Sequence, residues 1–141
     1  MQTGHITTYK TKVNAPIEKV WDALTNPEIV KQYFFGSEQQ TDWKVGSPII
    51  WSGEYEGQKY VDKGKVLEFE PNHKLAFSYL SSWSNMEDKP ENYLMVTYEI
   101  TPAENGGTEL TITQTNYDAE KAAHSAENWK IVIDGMKGLI E

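Results

Sequence analysis

The sequence predicts an α+β domain in which helices lie against one face of an antiparallel sheet. Three features of the chain lead to this fold class. An amphipathic stretch closes the chain at residues 118–141, alternating strands fill residues 48–116, and two short helical stretches follow an opening strand. The closing helix needs an apolar surface to cover it. The alternating strands are the part of the chain large enough to provide that surface.

The first quarter of the chain contains the opening strand and the two short helices. Residues 6–14 alternate and are rich in β-branched side chains, which predicts a strand. Tyr9 and Val13 favour the odd-numbered face as the buried one. Residues 16–26 carry apolar side chains at helical spacing, and residues 27–33 predict a second helix that begins on a proline.

The middle of the chain predicts about six strands joined as hairpins. Turn signals separate them, most clearly Asn105-Gly106-Gly107. Gly64, inside one of these strands, predicts either a bulge or a close approach of two backbones. The predicted strands span residues 39–43, 48–55, 59–70, 74–81, 93–101 and 108–116.

The closing stretch predicts one helix of about six turns, which at ~1.5 Å per residue is roughly 35 Å long. Its charged side chains lie on the opposite face from its apolar ones. A helix of this length spans a small domain. The predicted apolar stripe consists of Ala122, Ala126, Trp129, Val132, Ile133, Met136, Leu139 and Ile140.

The composition excludes several classes of partner. The chain has 141 residues, a length that favours one domain with a real core, and its net charge is −8. That charge repels nucleic acid and anionic lipid headgroups. All 13 basic residues are lysine, so the planar guanidinium that grips phosphates bidentately is missing. We therefore expect no nucleic-acid partner and no phosphate-rich cofactor.

Metal sites, redox chemistry and membrane insertion are not expected either. The chain contains no cysteine, which removes disulfides, thiol nucleophiles and zinc-thiolate sites. His5, His73 and His124 are too scattered to suggest a metal site. The first residues lack a basic cap followed by an apolar run, and no stretch approaches ~18 continuous apolar residues. We expect a soluble, cytoplasmic protein that holds no cofactor.

Several landmarks resemble one known family in their order and spacing. Residues 14–28 read NAPIEKVWDALTNPE, and residues 64–68 read GKVLE, followed by Pro71 and Leu75. Residues 106–113 read GGTELTIT, and a helix with a tryptophan closes the chain. In this order the sequence resembles the START-like (SRPBCC) superfamily. Within it, the nearest resemblance is to the activator-of-heat-shock-protein-90-ATPase homologues (AHSA-type).

This resemblance implies a single helix-grip domain over residues 1–141. In that architecture a curved antiparallel sheet of six or seven strands wraps the C-terminal helix and leaves a hydrophobic cavity. The superfamily uses such cavities for lipids, polyketides, hormones and other apolar ligands. Many relatives carry histidine where this chain has Gln114, so acid or base chemistry at that position is not expected to transfer. The co-chaperone activity of eukaryotic relatives resides partly in an additional N-terminal domain, which weakens the transfer of that role.

The candidate site consists of side chains that the predicted inward faces bring beneath the terminal helix. Aromatic walls with polar tips suit planar apolar ligands, although the same pattern is typical of an ordinary core. Tyr33 and Phe34 follow the second helix, where they form either a gate or simple packing. The expected ligand-binding residues are Tyr33, Phe34, Trp51, Tyr55, Phe77, Tyr79, Met95 or its neighbour Tyr98, Gln114, Trp129, Ile133 and Met136.

Three functions remain open from the sequence. We expect a protein that binds a small apolar or aromatic molecule without chemistry. A cyclase or dehydrase acting on polyketides would need a polar pair inside the cavity, for which the candidates are Glu54, Tyr79, Tyr98 and Gln114. A chaperone or other protein partner, bound through the acidic surface, is the third possibility. Trp83, in a polar loop, lies either at the cavity entrance or at such an interface.

Overall fold

The structure is a computed structural model that describes residues 5–34, 36–81 and 86–141, without the side chain of Tyr55. The predicted entrance residue Trp83 therefore lies outside the described residues. Short 3₁₀ turns occur at Pro90–Asn92 and Glu104–Gly106. The main elements are β1 (His5–Val13), α1 (Ile17–Thr25), α2 (Pro27–Tyr33), β2 (Glu38–Gln40), β3 (Pro48–Tyr55), β4 (Gln58–Glu70), β5 (Lys74–Tyr79), β6 (Leu94–Pro102), β7 (Thr108–Asn116) and α3 (Ala119–Ile140).

One antiparallel sheet contains all seven strands, in the order β1-β7-β6-β5-β4-β3-β2. Strands β2 to β7 follow one another as a meander, and β1 pairs with β7 at the far edge. The sheet is curved, and α3 contacts β1 and β7 as well as the two short helices. The predicted α+β helix-grip architecture is confirmed.

Local sequence signals account for the helix boundaries. Asn26 caps α2, because its side-chain oxygen accepts a hydrogen bond from the Glu28 amide at 3.0 Å and Pro27 takes the first helical position. Asp118 caps α3 in the same way through the Lys121 amide at 2.8 Å. Both helices thus begin where the sequence predicts.

Strand β4 explains the glycine in its interior. A Cβ added to Gly64 would lie 1.7 Å from the Ser78 carbonyl oxygen of β5, so the close approach of two backbones requires glycine there. The pairing shifts register between Val66 and Glu68, two to four residues further on. Of the two alternatives for Gly64, the close approach is therefore the correct one, and the bulge lies beside it.

The buried faces follow the predicted alternation, with two exceptions. On β1, Thr7 and Val13 of the odd-numbered face are buried, as predicted. Leu139 is 46% exposed, so its assignment to the apolar stripe of α3 was wrong. Met95 is 42% exposed on the outer face of β6, so its expected inward position was also wrong; its neighbour Tyr98 faces inward instead. The register explains this, because residues an odd number apart on a strand face opposite sides.

Candidate ligand cavity

A cavity of about 620 Å³ lies between the inner face of the sheet and the first half of α3. Its volume falls within the ~300–1,000 Å³ typical of small-molecule sites. Apolar and aromatic side chains make up much of the wall, and polar groups interrupt it at a few places. The lining residues are Phe34, Ser37, Trp51, Tyr60, Asp62, Phe77, Tyr79, Ser81, Leu94, Val96, Gln114, Asn116, Tyr117, Lys121, His124, Ser125, Asn128, Trp129 and Val132.

The sheet side of the wall is aromatic. Trp51 of β3 and Phe77 of β5 lie with ring centroids 4.9 Å apart, and Tyr79 meets Trp51 edge-on at 5.4 Å. The three rings lie together because β3 and β5, on either side of β4, both direct alternate residues to the inner face of the sheet. Such tilted pairs contribute ~0.5–1.5 kcal/mol each beyond their area burial. A rigid aromatic surface therefore faces the cavity.

Trp51 is held in place from behind by an amide. Its indole N–H donates to the Gln39 side-chain oxygen at 2.9 Å, and the Gln39 amide nitrogen donates to the Leu24 carbonyl at 3.4 Å. All three groups are buried. This chain of hydrogen bonds satisfies the buried indole nitrogen and joins β3 to β2 and α1. The orientation of the ring is thus set before any ligand arrives.

The helix side of the wall centres on Trp129. Its ring meets Tyr98 at 5.7 Å and Phe34 at 6.1 Å, both edge-on, and Tyr98 meets Phe77 at 5.7 Å. Rings from α3, β6, β5 and the segment after α2 therefore form one continuous aromatic group. The Trp129 indole N–H donates to the Gln114 side-chain oxygen at 2.9 Å.

Gln114 begins a network of hydrogen bonds that joins β7, β1 and α3. Its amide nitrogen donates to the Asn116 side-chain oxygen at 3.2 Å, and the Asn116 amide donates to the Thr7 hydroxyl at 3.0 Å. The Thr7 hydroxyl in turn donates to the Ala122 carbonyl on α3 at 2.7 Å. Gln114 is thus used to orient Trp129 and Asn116, which gives this position a structural task in the wall.

A tyrosine–aspartate pair lies in the wall on the β4–β5 side. The Tyr79 hydroxyl donates to an Asp62 carboxylate oxygen at 2.9 Å. Burial, and then the nearby carboxylate, raise the pKa of the Tyr79 hydroxyl well above its ordinary value, so it stays protonated at neutral pH. Beside this pair, the hydroxyls of Ser37 and Tyr60 share a short hydrogen bond.

The N-terminal half of α3 provides a second polar region. Lys121, His124, Ser125 and Asn128 all line the cavity, and their spacing of three and four residues places them on one helix face. Ser125 is 6% exposed, and its hydroxyl has no hydrogen-bond partner among the described residues. A buried hydroxyl without a partner costs ~1–3 kcal/mol, which makes it unusual in a folded protein.

The twelve expected site residues separate into four groups. Tyr33, Tyr98, Ile133 and Met136 belong to the core rather than to the cavity lining, and Met95 lies on the outer face. The Tyr55 side chain lies outside what the structure describes. The residues that do line the cavity are Phe34, Trp51, Phe77, Tyr79, Gln114 and Trp129.

The sequence interpretation missed Asp62 and Ser125. Asp62 lies two residues before Gly64 on the same inward face of β4, where Val66 is fully buried, so strand alternation could have revealed it. Ser125 lies four residues before Trp129 on α3, and helical spacing could have placed it on the inner face. Glu54, considered earlier for acid–base chemistry, is exposed. No group of three or more His, Asp or Glu side chains in the described part of the chain is arranged to hold a metal ion.

A protein-family comparison gives one match that spans most of the chain. Residues 14–141 match the family described as activator of Hsp90 ATPase homolog 1-like protein. The chain belongs to this family. No curated protein sequence matches it. The resemblance proposed from the sequence landmarks is therefore confirmed.

Solved structures place this member of the Hsp90-ATPase-activator homologue family among similar folds. ChR145 from Cytophaga hutchinsonii is 43% identical, with a TM-score of 0.84 over 99% of this chain and 95% of that one. CV1439 from Chromobacterium violaceum is 19% identical, with a TM-score of 0.78 over 99% of both chains. DynU16, from the dynemicin biosynthetic locus, is 19% identical with a TM-score of 0.76 over 96% of this chain and 46% of that one. The last two show the fold alone.

Proposed function

We propose that this family member binds a small, largely apolar or aromatic molecule in the cavity between the sheet and α3, without chemistry. Proteins of the family and its superfamily often bind hydrophobic ligands. The observation that carries the proposal is the cavity itself. A cavity of about 620 Å³ remains beneath α3, and Trp51, Phe77 and Trp129 border it. Fixed aromatic rings favour planar ligands, because they need no reordering when the ligand binds.

The test is a ligand screen with two neighbouring variants of β6. Val96 is 2% exposed and lines the cavity, whereas Met95 beside it faces outward. A library of flavonoids, fatty acids and sterols is screened by tryptophan emission and by melting temperature. A ligand at ~100 times its Kd should stabilise the protein by about 2.7 kcal/mol.

We expect Val96→Trp to fill the cavity and abolish the ligand-induced rise in melting temperature. Met95→Trp adds the same ring to the opposite face and should leave that rise intact. Val132→Phe, on the helix side of the cavity, serves as a second filling variant if Val96→Trp does not fold. A library that leaves wild-type emission and melting temperature unchanged would reject the binding function. Equal binding by both tryptophan variants would locate the ligand elsewhere.

A second candidate function is acid–base catalysis on a ligand in the same cavity, of the polyketide cyclase or dehydrase type. The observation that favours it is the Tyr79–Asp62 hydrogen bond in the cavity wall. In such a step the Tyr79 oxygen would take a proton from the ligand while its own proton passes to the Asp62 carboxylate, and the reverse transfer would return a proton to the product. Tyr79→Phe and Asp62→Asn separate the two functions: both should retain the ligand if the protein only binds it, and both should stop turnover if it is an enzyme.

Two further expectations belong to the same proposal. The chaperone-partner alternative rests on the family description alone, so it stays a prediction from the sequence. Cytoplasmic action also stays a prediction, which the absence of cysteine supports. In the described part of the chain, no helix has the length and apolar character needed to cross a membrane.

A further inference from the structure

The two polar regions of the cavity carry opposite charges. Among the described lining residues, the lysine is Lys121 on α3 and the carboxylate is Asp62 on β4. Strand β4 lies three strands from β7 in the sheet, roughly 14 Å at ~4.8 Å per strand. The Thr7–Ala122 hydrogen bond fastens the start of α3 to β1, beyond β7, so Lys121 lies on the far side of the cavity from Asp62. An elongated ligand thus meets a basic region at one end and an acidic one at the other.

Ser125 distinguishes the basic region from an ordinary solvated helix face. Ser125 is 6% exposed and lines the cavity, and its hydroxyl has no hydrogen-bond partner among the described residues. A hydroxyl inside a helix often bonds the carbonyl four residues earlier, and this one does not. Rotation among the staggered positions of a serine side chain can turn the hydroxyl toward a ligand. The Ser125 hydroxyl is therefore a buried hydrogen-bond donor that a ligand can use, on the same helix face as Lys121 and His124.

We propose that the ligand carries a carboxylate, which is bound at the α3 end of the cavity by the Ser125 hydroxyl and the Lys121 ammonium group, with His124 beside them. This inference rests on the proposed binding function. The apolar body of the ligand lies against Trp129 and Phe77, and its far end approaches Tyr79. A carboxylate accepts hydrogen bonds only, which matches a hydroxyl without an acceptor and a lysine with three donors. The first turn of α3, which contains Lys121, also favours negative charge through the helix dipole.

The test uses one acid and its neutral amide, 1-pyrenebutyrate and 1-pyrenebutyramide. They have the same apolar body and nearly the same shape, so a difference in affinity reports the charged group. Binding is measured at pH 8 by energy transfer from the protein's tryptophans to pyrene. Wild type should bind the acid about tenfold more tightly than the amide, which is the range expected of a charge-assisted hydrogen bond. This preference would run against the protein's net charge of −8.

Three variants of α3 test which residues cause the preference for the acid over the amide. Lys121→Gln should lower the acid's affinity by about three- to tenfold and leave the amide's affinity unchanged, and Ser125→Ala should lower the acid's affinity by a similar factor and the amide's affinity less. Lys130→Gln is the matched control, because it removes the same charge from the same helix at an exposed residue that pairs with Asp134 and does not line the cavity. It should change neither affinity.

The outcomes separate this inference from the binding function. Equal affinity of wild type for acid and amide would overturn the carboxylate assignment and leave the binding function standing. An equal loss of acid affinity in Lys121→Gln and Lys130→Gln would overturn it too, because the preference would then come from the general charge of the helix. Binding of neither pyrene compound would count against both proposals.

Discussion

The two halves of α3 bury very different side chains. The second half places Ile133, Met136 and Ile140 against the core, and the first two are at most 1% exposed. The first half presents Ala122, Ser125 and Ala126 to the same side before the stripe reaches Trp129. Large side chains fill the space between helix and sheet in one half, whereas small ones leave it open in the other.

The elements that face α3 strengthen this contrast between a packed half and an open half. The short helices α1 and α2 also contact α3 and add buried residues such as Val20 and Leu24 to the core. Near the first half, β3, β4 and β5 present aromatic rings to a cavity of about 620 Å³. The comparison shows that the apolar stripe of one helix can pack into the core along one half and form the wall of a cavity along the other.

The largest expected effect on stability comes from truncating one side chain in the packed core under the second half of α3 and another that borders the cavity under the first half. Ile133→Ala removes a side chain surrounded by packed residues and should cost about 3–4 kcal/mol, because it leaves a new void. Phe77→Ala removes a larger side chain that borders an existing void, and it should cost only about 2 kcal/mol, below the usual ~3–5. Urea denaturation of the ligand-free protein measures both. A cost for Phe77→Ala that equals or exceeds that of Ile133→Ala would show that the cavity is closed in solution.

A smaller effect compares two buried hydroxyls. Ser125 has no partner among the described residues, so Ser125→Ala should raise the stability of the ligand-free protein by up to about 1 kcal/mol. The Thr7 hydroxyl bonds both Ala122 and Asn116, so Thr7→Val should lower stability by about 1–2 kcal/mol. Chemical denaturation at one pH compares them. Loss of stability in Ser125→Ala would mean that the hydroxyl has a partner in solution.

The smallest expected effect is a loss of stability at alkaline pH, to which one tyrosine of the packed region and one of the cavity wall contribute. Burial raises the pKa of Tyr33, which lies in the packed half, and that of Tyr79 in the cavity wall. Above pH ~10 the unfolded chain ionises these hydroxyls while the folded protein keeps them protonated, so stability must fall as pH rises. Each such tyrosine contributes at most about 1.4 kcal/mol per pH unit.

Tyr79→Phe should therefore reduce the loss of stability between pH 10 and pH 11 by roughly 1 kcal/mol, measured as the change in urea midpoint. Lysine titration in the same range is common to both proteins and cancels in the comparison. An unchanged pH dependence in Tyr79→Phe would show that this hydroxyl is solvated in the ligand-free protein.

Much of the fold could be predicted because its signals are local. Pro48–Tyr55 and Thr108–Asn116 were predicted with the bounds that the structure shows, since turn residues mark both ends of each strand. The helix Pro27–Tyr33 was predicted equally well from the proline at its start. The cavity lining was harder to predict. Tyr98 and Phe77 both face inward, yet one belongs to the core and the other also lines the cavity.

The sequence by itself determined the order of strands and helices, the antiparallel meander and, apart from Met95 and Leu139, the buried faces of the elements, because residues close along the chain encode these features. The tertiary structure alone decided where the interior is hollow. That depends on which side chains meet across the gap, such as Ser125 of α3 opposite strands that lie far away in the sequence. The volume left between them depends on the sizes of all the side chains together and on the curvature of the sheet, which no single stretch of sequence specifies.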